Sequence, residues 1–282
     1  MLTDQLSRAT RQLAESLELP PREARLEAQV LFAHALGVNR AWLIGHDRDL
    51  LTPEQTAAIE ALLKRRLAGE PVAYLLGERE FYGHPFRVTP DVLIPRPDTE
   101  LLVELALQRL PQDATLNVLD IGVGSGAVAV SLALERPGCR VTGVDISVAA
   151  LRVAVANAAA LHADVEFLRS DGYETLGKRR FHLIASNPPY IAAADPHLQQ
   201  GDLRFEPPQA LASGDDGLDL IRRLITGAAA HLEPGGWLLL EHGWDQAAPV
   251  RALLRAAGFH EVFSATDLAG HERVMGGVFP VR

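Results

Sequence analysis

Apolar positions in the first quarter of the chain repeat with a helical period. Leu6, Ala9, Leu13 and Leu17 share one helical face. "PPREARLEAQVLFAHALG" opens on prolines, carries Leu26, Val30 and Leu31, and stops at Gly37. "TPEQTAAIEALLKRRLAG" places Thr52 as N-cap and Pro53 at the first helical position. Gln55 completes a capping box and Gly69 ends the helix. Residues 1 to 75 therefore predict a small all-α bundle, with Trp42 in its core. The pattern then changes. "REFYGHPFRVT" alternates aromatic and β-branched residues around Gly83-His84-Pro85, a β-hairpin linking two domains over residues 76 to 96.

From residue 97 onward helical and strand patterns alternate. "IPRPDTELLVELALQRL" opens a helix at Pro97. "LNVLDIG", "CRVTGVDIS", "VEFLRSD", "FHLIASN" and "GGWLLLEHG" read as strands, with helices over "SGAVAVSLALERP", "VAALRVAVANAAAL", "GLDLIRRLITGAAAHL" and "DQAAPVRALLRAAG" between or after them. "FHEVFSAT" and "RVMGGVFP" close the chain as strands. Short apolar runs separated by helices predict a mostly parallel twisted sheet covered on both faces. The fold class is α/β, a Rossmann-like domain over 97 to 282 with a C-terminal antiparallel addition. "AVANAAA" reads simply as good helix.

In such sheets ligands lie beyond the carboxyl ends of the strands. The first strand ends in "DIGVGSG", which holds Gly122, Val123, Gly124, Ser125 and Gly126. Alternate glycines let the backbone turn sharply and approach a ligand. Asp145 ends the next strand, 19 residues past Gly126, where a carboxylate can accept both hydroxyls of a ribose. Gly122, Gly124 and Ala127 also fit a dinucleotide fingerprint, so the loop alone leaves nicotinamide and S-adenosyl-L-methionine both open.

The fourth strand ends in "SNPPYI". A nicotinamide enzyme has no use for Asn187, Pro188, Pro189 and Tyr190 in that order, whereas a methyl transfer to a planar nitrogen does. The Asn carbonyl and a proline carbonyl can accept the two N–H bonds of such a nitrogen. Proline has no N–H to compete. Both acceptors favour the charge the nitrogen gains, and Tyr190 can stack on the flat group.

Composition and charge narrow the setting. A single Cys, Cys139, rules out an internal disulfide and fits a reducing compartment; it reads as structural. No apolar run suits a signal peptide or a membrane span, so a cytoplasmic protein is expected. Net charge is -9. Residues 1 to 75 hold 9 Lys+Arg and 10 Asp+Glu, or -1, which leaves 18 and 26, or -8, for the rest. No direct nucleic-acid contact is expected from that balance. Lys64-Arg65-Arg66 reads as a solvated helix end favoured by the helix dipole. "EHG" puts Glu241 and His242 at a polar strand end near the cleft. No metal site is expected, since no further His or Cys stands at ligand spacing. Arg96 and Glu100 either border the cofactor or cap a helix.

"PVAYLLGEREFYG", "VLIPRPDTELLVE", "DIGVGSGAVAVSLA", "SNPPYI" and "EPPQALASGDDGLDLIRRLI" together resemble the HemK/PrmC family, the glutamine-N5 methyltransferases of peptide chain release factors. The resemblance spans residues 70 to 282. It implies S-adenosyl-L-methionine as methyl donor and S-adenosyl-L-homocysteine as product. It places Gly122 to Gly126 along the methionine part, Asp145 on the ribose, and Asp171 and Gly172 beside the adenine. Asn187 to Tyr190 would hold the glutamine of a Gly-Gly-Gln motif in a release factor, with the helical domain docking that partner. The family often has a bulky aromatic where this chain has Gly172, so adenine packing is expected from Tyr173. A nucleic-acid adenine-N6 or guanine-N2 methyltransferase is the alternative, and a non-catalytic dinucleotide-binding module the other.

Overall fold

A computed structural model describes residues 1–281, and the chain divides into two units between Glu78 and Arg79. The first unit holds α1 (Leu2–Ser16), α2 (Pro21–Leu36), α3 (Arg40–Gly45), α4 (Pro53–Leu67) and α5 (Val72–Leu76). The local signals act as the sequence predicts. Gly37 closes α2 at φ 65°, and Thr52 and Gln55 exchange backbone-to-side-chain hydrogen bonds of 3.2 and 2.9 Å ahead of α4.

Two expectations fail in this unit, each through tertiary packing. The buried face of α2 is Ala24, Ala28, Leu31 and Phe32, while Leu26 lies two residues from Ala24, round the helix, and is exposed. Trp42 does pack against the core, half-buried and stacked on His46 with centroids 3.8 Å apart. Arg66 is no part of a solvated helix end. It is buried, its guanidinium forks onto Glu27 at 2.8 and 3.1 Å, and it donates to the carbonyls of Gly69 and Glu70 beyond the end of α4. Its planar set of donors satisfies a carboxylate and two orphan carbonyls at once, which a solvated lysine would not need to do.

The hairpin consists of β1 (Glu78–Phe81) and β2 (His84–Arg87). Its turn is Tyr82-Gly83 rather than Gly83-His84-Pro85. Both turn residues have positive φ, 51° and 77°, the two-residue turn whose twist suits a hairpin; proline cannot adopt that φ and so falls in the strand. Phe81 and Phe86 meet edge to face at 6.0 Å inside the core of the sheet unit, so the segment is packed rather than a free linker.

The remaining elements are α6 (Glu100–Leu107), β3 (Asn117–Ile121), α7 (Ala127–Glu135), β4 (Arg140–Asp145), α8 (Val148–Leu161), β5 (Val165–Arg169), β6 (Phe181–Ser186), α9 (Asp219–His231), β7 (Leu232–Glu241), α10 (Ala247–Ala256), β8 (His260–Thr266) and β9 (Glu272–Val278). The sheet runs β5-β4-β3-β6-β7-β9-β8, with β9 antiparallel to both neighbours and the other pairs parallel. This is the expected α/β architecture. Successive residues feed opposite faces: Val118 and Leu183 join one core, Leu119 and Ile184 the other. The chain leaves β3 towards β4 and β5, then returns to β6 on the other side. That reversal is the topological switch point, where a crevice opens beyond the strand ends. Among the described residues no helix is long and apolar enough to cross a membrane.

Candidate active site

A cleft of about 730 Å³, counting its open mouth, lies over the ends of β3, β4 and β6. Its walls include Gly122, Gly124, Asp145, Asp171, Gly172, Asn187 and Pro189. At one end, the amides of Gly122 and Val123 both donate to the Val144 carbonyl, at 2.8 and 3.1 Å. That contact folds the glycine loop over the end of β4. Gly122 and Gly124 take φ of 78° and 52°, and a Cβ on either would point into open space. The Asp145 carboxylate accepts from the Gly124 amide at 3.0 Å and the Ser147 amide at 2.8 Å. Burial nevertheless raises its pKa, with those amides opposing. The Ile146 amide also opposes the shift, and with three of about four acceptor sites engaged the carboxylate keeps capacity for a ligand hydroxyl.

Gly126 does not line the cleft. Its φ of 84° starts α7, and a Cβ there would stand 3.1 Å from that of Ala154, so it lets α7 pass close to α8. Val123 and the buried Ser125 line an adjoining cavity instead. Tyr173 is also absent from the cleft. It stacks on His231 at 4.7 Å and donates to the Leu224 carbonyl, on the far side of Gly172. The expectation that Tyr173 packs an adenine is therefore corrected: the apolar surface at that end is Ile146, Ala150 and Leu220. Ile146 follows the strand-ending Asp145 and is half-exposed at the cleft wall.

At the other end, Asn187 borders three adjoining cavities: the main cleft, the one beside Thr99 and Ser125, and one lined by Pro188 and Tyr190. Ser186 ties the strand end down through a 2.6 Å bond to the Ile121 carbonyl. The Asn187 amide nitrogen donates to the Thr99 hydroxyl at 3.0 Å. The Tyr190 hydroxyl donates to Glu241 at 3.3 Å, and the Tyr190 carbonyl accepts from Gln246 at 2.8 Å. A Cβ on Gly217 would collide with that same carbonyl, so the backbone of the loop is gripped from two sides. Among the described residues no hydrogen bond reaches the carbonyls of Pro188 or Pro189.

Residues 4–77 match the family described as PrmC N-terminal domain, and residues 99–202 the one described as Methyltransferase small domain. A release factor glutamine methyltransferase of Bordetella pertussis is 56% identical over 266 residues, 94% of this chain and 98% of its own length. Its namesake in Burkholderia pseudomallei is 53% identical, covering 95% and 96%. The chain belongs to the release factor glutamine methyltransferase family. Among solved structures, a methyltransferase of Pyrococcus furiosus superposes with a TM-score of 0.54 at 17% identity, over 77% of this chain and 98% of its own. The 16S rRNA N2 G1207 methyltransferase of T. thermophilus, solved with AdoMet and guanosine, gives 0.54 at 24% identity over 71% of this chain and 49% of its own. At those identities the likeness is one of fold.

Several residues that shape this family member's site are not legible as such in the sequence. Glu206 is buried, pairs with Arg96 and accepts from the Ile94 amide at 3.0 Å, joining two loops beside the cleft. Arg96 thus borders the cavities, while Glu100 turns away to accept from the Tyr82 amide in the hairpin. Asn157, in the run read as plain helix, is buried. It exchanges hydrogen bonds with both backbone groups of Arg87 and donates to the Ser125 carbonyl at 2.8 Å. One asparagine among alanines, a residue helices disfavour, is the signal that could have marked it. Glu241 ends β7, with His242 after it, and reaches the Tyr190 hydroxyl of the Asn187 loop, as a polar strand end near the cleft would. Both are fully buried; burial raises the Glu241 carboxyl to about 7 and lowers the His242 pKa. Cys139 is buried and donates weakly to the Ala114 carbonyl. Among the described residues no His, Cys, Asp and Glu side chains gather as metal ligands.

Proposed function

We propose that this cleft binds S-adenosyl-L-methionine and directs its methyl group to the side-chain N5 of the glutamine in a Gly-Gly-Gln motif of a peptide chain release factor. The observation that carries the reading is the position of Asn187. It stands between the glycine-loop cleft and the Pro188–Tyr190 cavity, with its amide nitrogen already engaged by Thr99. Its oxygen is then the atom left to accept.

The residues present fit the donor. The bare, positive-φ glycines leave room for a close approach, and Asp145 retains acceptor capacity for a ribose diol. When bound, S-adenosyl-L-methionine supplies a methyl group on a cationic sulfur, open to displacement by a neutral nitrogen. Everything else falls to the chain. Asn187 Oδ1 and a proline carbonyl accept the two N–H bonds of the substrate amide. They orient its lone pair and stabilise the positive charge it acquires. The Tyr190 ring stacks on the planar amide. No strong base is needed before attack, since alkylation makes the nitrogen acidic. Proximity and orientation supply most of the rate. The helical unit is assigned to docking the release factor.

Incubation of a purified release factor with the protein and donor, followed by peptide mass spectrometry, tests the reading. One added methyl on the Gly-Gly-Gln peptide, and none on DNA or RNA in parallel reactions, is the expected result. An unmodified peptide overturns it. Deleting residues 1 to 75 should leave donor binding intact and slow methylation of the whole factor; an unimpaired truncation removes the docking role.

A further inference from the structure

The rim beyond the Asn187 end of the cleft carries two apolar side chains that the methyl transfer does not use. Trp244 is 66% exposed and Leu268 is fully exposed. Trp244 stands in the turn that follows β7, and Leu268 in the turn that joins β8 to β9. β9 pairs with both β7 and β8, so the two turns lie at the same end of the sheet, the carboxyl end of β7 and β8. His271 links them. It belongs to the second turn, and its ring centroid lies 6.3 Å from that of Trp244.

Scattered exposed apolar residues are ordinary on a protein surface. These two differ in how they are mounted, because polar side chains brace both turns. The buried Gln246 accepts from the Gly243 amide at 2.9 Å and donates to the carbonyls of Tyr190 and Asp216 at 2.8 and 3.2 Å. The Asp267 carboxylate accepts from the Ala269 and His271 amides, both at 2.9 Å, and from the Arg273 guanidinium at 3.3 and 3.1 Å. Each brace also reaches the acceptor end of the cleft. Gln246 holds the Tyr190 carbonyl. Arg273 extends to Asp98 at 3.6 Å, next to Thr99, the partner of Asn187. The rim is thereby held in register with the Pro188–Tyr190 cavity.

We propose that Trp244 and Leu268 form a docking surface for the release factor, covered in the complex by an apolar patch on the folded surface that flanks its Gly-Gly-Gln motif. This rests on the reading of the Pro188–Tyr190 cavity as the place where the glutamine enters. A glutamine side chain fills that cavity and little else, whereas a stable protein complex buries roughly 800 Å² on each partner. The remaining area has to come from surface continuous with the cavity mouth, and this rim is joined to it through Gln246 and Arg273. A tryptophan and a leucine on braced turns lose little freedom when covered, so their burial shows in affinity. Neither side chain borders the glycine-loop cleft or the cavities around Asn187, so the surface acts on binding of the factor and not on the chemical step.

The test is calorimetric affinity for a whole release factor in the presence of S-adenosyl-L-homocysteine, with single-turnover methylation at saturating factor and donor measured beside it. Trp244→Ala should weaken binding of the factor about tenfold or more, and Leu268→Ser about threefold. Trp244→Phe should keep most of the affinity. In each variant the saturated rate and the affinity for S-adenosyl-L-homocysteine should stay within twofold of wild type, which a mere disturbance of the Tyr190 loop would not allow. A double variant, Trp244→Ala with Leu268→Ser, that binds the factor within twofold of wild type overturns the proposal, as does a saturated rate that falls as far as the affinity. Sedimentation of the protein alone covers the other occupant: a dimer that the double variant dissociates, with affinity for the factor unchanged, makes the rim a contact between two copies of this chain and overturns the proposal. Wild-type protein that binds the factor without methylating it defeats the reading of the site instead, and the affinity series still decides the rim.

Discussion

The two ends of the cleft are built by different means. At the glycine-loop end the working carboxylate is held by backbone amides close by: Ser147 is two residues from Asp145, and Gly124 belongs to the loop of the adjacent strand. At the Asn187 end the partners are side chains from remote segments. Thr99 is 88 residues from Asn187, Glu241 is 51 from Tyr190, and Arg96 is 110 from Glu206. A ligand whose shape does not change can be met by backbone geometry that follows from two crossing strand ends. A nitrogen that gains charge has to be met by directed dipoles, and these need orientation from outside the loop. The first end should govern affinity for the donor, and the second the rate.

Asn187→Ala gives the sharpest separation. Single-turnover methylation should fall by ~10²–10³ with donor affinity nearly unchanged, as for loss of one positioned polar contact. Normal turnover would break the comparison at its second end. Asp145→Ala should do the reverse. Loss of charge-assisted bonds worth roughly 1.5–3 kcal/mol weakens S-adenosyl-L-homocysteine binding by about ten- to a hundredfold in calorimetry, and saturating donor should recover much of the rate. Unchanged affinity would remove Asp145 from the site. Asn157→Ala strips partners from the Arg87 backbone and the Ser125 carbonyl together. Urea denaturation should show a loss of about 1–3 kcal/mol, with donor affinity falling alongside as the glycine loop loosens. A stability loss with an unaltered loop would mean that the hairpin, and not the cleft, is what Asn157 serves.

The smallest effect concerns pH. Burial raises the carboxyls of Asp120, under the glycine loop, and Glu241, under the Asn187 loop, each to about 7 from ordinary values of 3.8 and 4.5. A raised carboxyl pKa means the folded protein holds a proton that the unfolded chain has released. The stabilisation is complete below the ordinary pKa and is lost as pH rises through 7. Thermal melts from pH ~6 to ~7.5 should therefore lose on the order of 1 kcal/mol per carboxyl. Asp120→Asn and Glu241→Gln should each flatten that slope by its own share. A slope unchanged in both variants would place the titrating groups elsewhere.

Both ends differ in how far they could be read from the chain. Glycine spacing, a strand-ending Asp at the right interval, the Thr52 capping box and the "NPPY" loop are local statements, because a turn, a cap or a missing N–H depends on neighbours a few residues away. The alternation of short apolar runs with helices determined an α/β sheet for the same reason. What the sequence could not decide was which remote side chains meet. Arg66 looked solvated until Glu27 was placed opposite it, Tyr173 looked like a ligand platform until His231 stacked on it, Glu241 read as a polar strand end and not as a buried carboxyl, and Thr99, Asn157 and Glu206 had no assigned role. Burial explains the difference. A polar group taken out of water must find a partner, and the choice of partner is made by whichever strand end or loop the fold brings alongside, at a separation in sequence that no local pattern records.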